Sequence, residues 1–228
     1  MRKFLSFLLL IAMLAALCLP VSAAHVSAVE AISTLETLGL VKGTGNGFEP
    51  ERSATRAEAA VMLLRLLGKE AEAELEQGKC PFYDGGWAAR YLTYAAKNGL
   101  VRGKSSTWYG SEDAVSVRDY LTMVLRALGY DDAAGDFSWE NSIAFADRIG
   151  LTHGEYTASS KFIREDLALI SYTALTLPVK DGEQTLAERL YQEGAVSAAA
   201  LLRSHSLESM KVAATSQKEF TVRIRTAE

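Results

Sequence analysis

Three arginines stand where apolar stretches begin. They are Arg56 in Thr55-Arg56-Ala57-Glu58, Arg118 in Val117-Arg118-Asp119 and Arg164 in Ile163-Arg164-Glu165. A guanidinium can grip a carboxylate through two parallel N–H bonds, which an ammonium cannot. In the first turn of a helix it also has free backbone N–H groups and the positive end of the helix dipole beside it. Such placement suits an anionic ligand. It equally suits a solvated helix start or the partner of a structural acid, and the residue types alone leave these open.

Other chemistry is poorly provided for. His25, His153 and His205 are scattered without metal-ligand spacing. There is no nucleophile elbow and no phosphate-cradling glycine loop. The adjacent acids Asp131 and Asp132 lie in a loop, and no placed carboxylate pair of the kind a glycosidase needs stands out. The expectation is a protein that is not an enzyme and takes no cofactor and no metal.

The elements that position the arginines recur in a fixed order. Each segment has an amphipathic helical stretch, then Gly-Leu-x-x-Gly, a polar loop, and an arginine opening a second apolar helix. The first runs Ala28–Leu38, Gly39-Leu40-Val41-Lys42-Gly43, then Arg56 and Ala59–Leu67. The second runs Trp87–Lys97, Gly99-Leu100-Val101-Arg102-Gly103, then Arg118 and Tyr120–Leu128. The third runs Ser142–Ile149, Gly150-Leu151-Thr152-His153-Gly154, then Arg164 and Asp166–Leu177. Val29, Ile32, Leu35 and Leu38 have helical spacing. Thr55-x-x-Glu58 reads as a capping box. The run Ala59–Leu67 is apolar around most of its girth, which marks a central helix. The boundaries expected are 24–72, 80–132 and 135–178 for segments one to three. A C-terminal extension follows at 179–228, with a short helix at Thr185–Gln192, a continuation at Ala198–Leu207 and a possible strand over 219–225.

The chain opens on an expected export signal at 1–23: Arg2 and Lys3, the apolar run Phe4–Leu19, then Pro20 and small residues to Ala23 or Ala24. Cleavage would remove Arg2 and Lys3 and take the formal net charge from −4 to −6. An acidic balance argues against nucleic acid or an anionic membrane as a general partner, and leaves room for a local basic site. Of the two cysteines only Cys80 would remain, so no internal disulfide could staple the mature chain.

Gly39-Leu40-Val41-Lys42-Gly43, Phe48-x-Pro50 and Thr55-Arg56-Ala57-Glu58 together resemble the S-layer homology domain. Phe82-x-Asp84 followed by Trp87-Ala88 resembles the opening of a second such domain. The resemblance covers about residues 24–178 and implies a mainly α fold. Three helical repeats would take a pseudo-threefold arrangement around a central three-helix bundle. It implies a secreted, cell-wall or S-layer-associated protein that binds a secondary cell-wall polysaccharide, often pyruvylated, in grooves between repeats. The carried-over binding residues are Arg56, Arg118 and Arg164, the loop glycines Gly43, Gly103 and Gly154, and the opening Asp84 and Trp87. Thr55 and Glu58 are expected as caps beside the site. The second motif departs from the pattern, with Val117 and Tyr120 expected where Thr and Glu would stand. In the third, Asp166 falls at the Glu position and Trp139 stands where the opening Asp would be. Trp108 and Tyr109, in the second loop, are further sugar-contact candidates. One groove, joining Arg56 to Asp84 and Trp87, is expected to be the best formed. The competing expectation is a structural or interaction module with degenerate sugar sites that binds a protein partner or itself.

Overall fold

The computed structural model describes residues 26–43, 47–197, 199 and 200. The expected export signal, the strand over 219–225 and nearly all of the 198–207 helix lie outside them.

The fold is mainly helical. Three pairs of helices follow one another: α1 (Ala28–Thr37) and α2 (Arg56–Leu66), then a short α3 (Glu70–Glu74), α4 (Ala89–Lys97) and α5 (Val117–Ala127), then α6 (Ser142–Arg148) and α7 (Arg164–Thr176). A last helix, α8 (Leu186–Gln192), follows. A 3-10 turn, Gly86–Ala88, leads into α4. Pairing outside helices is limited, among the described residues, to isolated bridges such as Thr55–Ala114.

Helices α2, α5 and α7 touch one another pairwise and form the centre. Their sequences require this. In α2 every residue except Glu58 and Arg65 is buried, including Arg56. Leu63, Leu64 and Leu66 of α2, Leu121 and Leu125 of α5, and Leu167 of α7 are fully covered. A helix without a polar face has no stable place at the surface. The outer helix α4 is amphipathic: it buries Leu92, Thr93 and Ala95, half-buries Tyr91 and Tyr94 beneath α3, and exposes Arg90 and Lys97.

Each outer helix packs on the central helix of another segment. Helix α4 lies on α2, α6 lies on α5, and α1 closes the circle by lying on α7. Segment boundaries in sequence are therefore offset from packing units in space. A shared turn makes the offset possible. Gly99, in a left-handed conformation at φ 71°, ends α4 and lets the Leu100 and Val101 N–H groups turn back onto the Ala95 carbonyl.

The first part of the C-terminal extension belongs to this core. Leu186, Leu190 and Val196 are buried. The Lys180 N–H donates to the Leu128 carbonyl (2.8 Å), and Arg189 Nη2 to the Ala127 carbonyl (3.3 Å). Gly68, at the end of α2, is met so closely by Ala195 that an added Cβ would stand 2.3 Å from the Ala195 Cβ. Residues 178–196 thus close over the C-terminal ends of α2 and α5.

Candidate functional site

The capping chemistry of the central helices sets the register of every candidate arginine. Thr55 caps α2, with the Glu58 N–H donating to Thr55 Oγ1 (3.2 Å) and the Thr55 N–H donating to Glu58 Oε2 (2.9 Å). The expected capping box is therefore present. In the second segment the same box is built by Ser116 and Asp119. This corrects the expected register by one residue. Val117 and Tyr120 are not the counterparts of Thr55 and Glu58; Ser116 and Asp119 are. The first helical position, held by Arg56 in α2, is held by buried Val117 in α5, and Arg118 stands one residue further on. In the third segment Arg164 does occupy the first position. Isoleucine has no side-chain acceptor, so Ile163 offers only half a box: its own N–H donates to Asp166 Oδ2 (2.9 Å).

Arg56 is 4% exposed and bridges segments one and two. Its Nε donates to the Tyr109 carbonyl (3.0 Å), Nη2 to the Arg102 carbonyl (3.3 Å), and Nη1 pairs with Asp119 Oδ1 (2.7 Å). Its guanidinium lies 4.8 Å from the centre of the Tyr109 ring, whose hydroxyl donates to the Arg56 carbonyl. The free N–H groups at the start of α2 are also met by segment two, Arg56 to Asp113 O (2.8 Å) and Ala57 to Ser111 O (3.1 Å). Burial pushes the Asp119 carboxyl upward, but Arg56, Ser116 and the Trp139 indole together hold it below its ordinary value.

Beside this bridge opens a cleft of about 550 Å³ lined by Arg56, Gly103, Asp119, Thr122, Arg126 and Trp139, with Arg102 and Lys104 on its rim loop. It carries four cations on a chain whose formal net charge is −4. Arg102 and Arg126 share Asp132 (both 2.7 Å), and Lys104 holds Asp113 (2.7 Å). The cleft therefore draws on all three segments, since Trp139 comes from the third.

The expected binding residues are distributed unevenly around it. Arg56 and Gly103 meet there. Asp84 reaches it only indirectly: its two oxygens accept from the Tyr109, Gly110 and Ser111 N–H groups (2.9, 2.8 and 2.8 Å). Asp84 thus shapes the loop whose Tyr109 carbonyl holds Arg56. Trp87 does not line the cleft; it is 59% exposed and packs edge-on against Tyr91. The aromatic wall is Trp139, whose Nε1 donates to Asp119 Oδ1 (3.1 Å). Arg118 backs that wall, its guanidinium 5.0 Å from the Trp139 ring centre. Tyr109 is fully buried, and Trp108 is an exposed partner of Lys104 (5.2 Å).

Arg164 repeats the Arg56 arrangement between segments three and one. Its Nε donates to the Phe48 carbonyl (2.7 Å), its guanidinium lies 4.7 Å from the Phe48 ring centre, and its N–H donates to Arg52 O (2.9 Å). The acid at this junction differs: Glu58 is held by Arg52 through two contacts (2.8 and 3.0 Å). Gly43 lies in the corresponding loop, where an added Cβ would stand 2.6 Å from the Gly47 backbone. The junction between segments two and three has Val117 in place of the arginine. Gly154, in the third segment, donates its N–H to Asp147 Oδ1 of the same segment (2.9 Å).

Sequence reasoning missed Arg102, Lys104, Asp119, Thr122 and Arg126. A signal existed for the last three, which with Met123 are spaced i, i+3, i+4 and i+7 and share one face of α5. Gly103 carries a sharp expectation. An added Cβ would lie 2.4 Å from Ser105 O and 2.6 Å from both Trp108 O and Phe82 Cε1. Two of these are backbone atoms that cannot swing aside. Gly103→Ala should cost about 1–3 kcal/mol in urea unfolding and splay the cleft rim. An unchanged midpoint would show that the loop is looser than it looks.

Residues 23–60 match a family model. That model is the S-layer homology domain. The matched stretch holds α1 and the capping box with Arg56. Among curated relatives, the chain is 32% identical over 197 residues to a "Cell surface protein" of Thermoanaerobacter kivui, covering 80% of this chain and 26% of that one. It is 29% identical over 155 residues to a "Middle cell wall protein" of Brevibacillus brevis, covering 66% and 15%. It is 34% identical over 116 residues to a "Surface layer protein" of Brevibacillus choshinensis, covering 49% and 10%. The chain spans about a quarter or less of the length of these relatives.

Proposed function

We propose that this protein is secreted and attaches non-covalently to the bacterial cell wall, binding an acidic, pyruvylated secondary wall polysaccharide in the Arg56 cleft. The observation that carries the reading is the buried Arg56 at an inter-segment junction beside a cleft lined by three further basic side chains, each paired with an acid. Three of its five N–H groups go to acceptors on segment two. The two others are the groups that would meet the ligand carboxylate. Gly103 lets its own loop close tightly at the cleft edge, and Trp139 offers the sugar an apolar face. The role is binding, not catalysis. The S-layer homology match and the cell-surface names of the relatives support it. No helix among the described residues is long and apolar enough to cross a membrane.

One observation favours a second reading. With Val117 at the second-to-third junction, that groove has lost the arginine, as an interaction module with decaying sugar sites would. Sedimentation with wall sacculi separates the two. Attachment predicts that the protein pellets with intact sacculi and stays in solution when acid treatment has removed the polysaccharide. Equal pelleting with both would refute it.

A further inference from the structure

Hydroxyls inside these helices generally bond back to the preceding turn. Thr93 Oγ1 donates to Ala89 O (2.7 Å), Ser171 Oγ to Leu167 O (2.6 Å) and Thr173 Oγ1 to Leu169 O (3.1 Å). Thr122 in α5 departs from this. It is 4% exposed, yet its Oγ1 has no hydrogen-bond partner among the described residues. It also lines the Arg56 cleft. A buried hydroxyl left without a protein partner costs the fold free energy; Ser111 Oγ is a second such hydroxyl, but of the two only Thr122 lines the cleft, where a bound molecule could supply the partner. The equivalent position of α2, six residues after the cap, is the apolar Val61, so the helix itself has no need of a hydroxyl there.

We propose that Thr122 is a specificity-determining ligand contact at the floor of the Arg56 cleft, bonding an uncharged polar substituent, a hydroxyl or amide, of the bound sugar. The inference rests on the cleft being a saccharide site and names a second feature that the site reads. Thr122 lies three residues beyond Asp119, about 4.5 Å along the helix axis. Asp119 holds Arg56 at 2.7 Å and Trp139 at 3.1 Å. A ring whose carboxylate meets Arg56 and whose face meets Trp139 would present a neighbouring substituent toward Thr122. A threonine hydroxyl can donate and accept at once, so it suits either group.

The test is calorimetric titration of wall polysaccharide, released from the peptidoglycan of the producing organism by muramidase digestion at neutral pH so that an acid-labile pyruvyl ketal is kept, into the wild type and the Thr122→Val, Thr122→Ser and Arg56→Lys variants. Thr122→Val keeps shape and removes only the hydroxyl. It should bind about 3- to 10-fold more weakly, the effect of one neutral hydrogen bond, with an unchanged or raised melting temperature without ligand. Thr122→Ser should keep most of the affinity. If Thr122→Val binds within about two-fold of wild type while Arg56→Lys is impaired, the Thr122 inference falls and the cleft stands. A lower melting temperature for Thr122→Val would also overturn it, since the hydroxyl would then serve the fold. If the wild type does not bind, or Arg56→Lys binds equally well, the cleft reading itself falls and takes the inference with it.

Discussion

Arg56→Ala should lower the unfolding free energy by about 3 kcal/mol, the low end of the cost of breaking a buried ion pair from one side. For a domain of this size that is a fall in melting temperature of about 6–12 °C. The damage has three parts. Asp119 loses the partner that offsets its burial. The Tyr109 and Arg102 carbonyls lose donors. The Tyr109 ring loses the guanidinium above it. Arg56→Lys should fall between, because an ammonium keeps the charge but cannot serve three acceptors in one plane. Acid should erode the same pair. Asp119 has a folded pKa below its ordinary value of 3.8, so its contribution is complete above the unfolded carboxylate range and is lost as pH falls through the folded value. Thermal melts of both variants between neutral pH and about pH 3 test this, and a wild-type-like melt for Arg56→Ala would remove the bridge from the account.

Leu35→Ala should cost about 3 kcal/mol, within the usual range for a fully buried leucine. Its location makes the result informative. Leu35 is fully covered on α1, in the first segment, and α1 lies on α7, in the third. Leu35 also accepts the Leu40 and Val41 N–H groups at the turn that ends the helix. The lesion should therefore be felt by residues 164–176 rather than by the helix that follows in sequence. Amide exchange should accelerate first in α1 and α7, with α4 keeping its protection. A loss of protection centred on α2 would mean that α1 serves its own segment and that the circle does not close through α7.

Much of this was legible in the sequence. The apolar girth of Ala59–Leu67 placed α2 at the centre, and Thr55 with Glu58 placed its start to the residue. What failed was alignment by arginine. Matching Arg118 to Arg56 shifted the second segment by one position, whereas Ser116-x-x-Asp119 carries the capping chemistry and would have fixed the register. Cap residues answer to backbone geometry, so they mark a helix start more faithfully than a side chain whose position can drift. The partner of each outer helix was not legible, because local periodicity says which face is apolar and nothing about which helix covers it. The same limit explains the aromatic wall. Trp87 and Trp139 are alike as residues, and only the circular packing puts Trp139, from the third segment, opposite Arg56. The burial of Leu186 and Leu190 likewise follows from where the bundle ends lie, which the segment pattern does not encode.

Arg56 is the proposed ligand-binding residue, and Arg118 supports Trp139. Sedimentation of Arg56→Lys and Arg118→Lys variants with polysaccharide-bearing sacculi, after melts confirm that both are folded, tests that division most directly. Arg56→Lys should lose most of its wall binding, because the two-pronged grip on a carboxylate is gone. Arg118→Lys should keep most of its binding, because a lysine can still sit over the Trp139 ring. Full binding by Arg56→Lys, with loss confined to Arg118→Lys, would contradict the account.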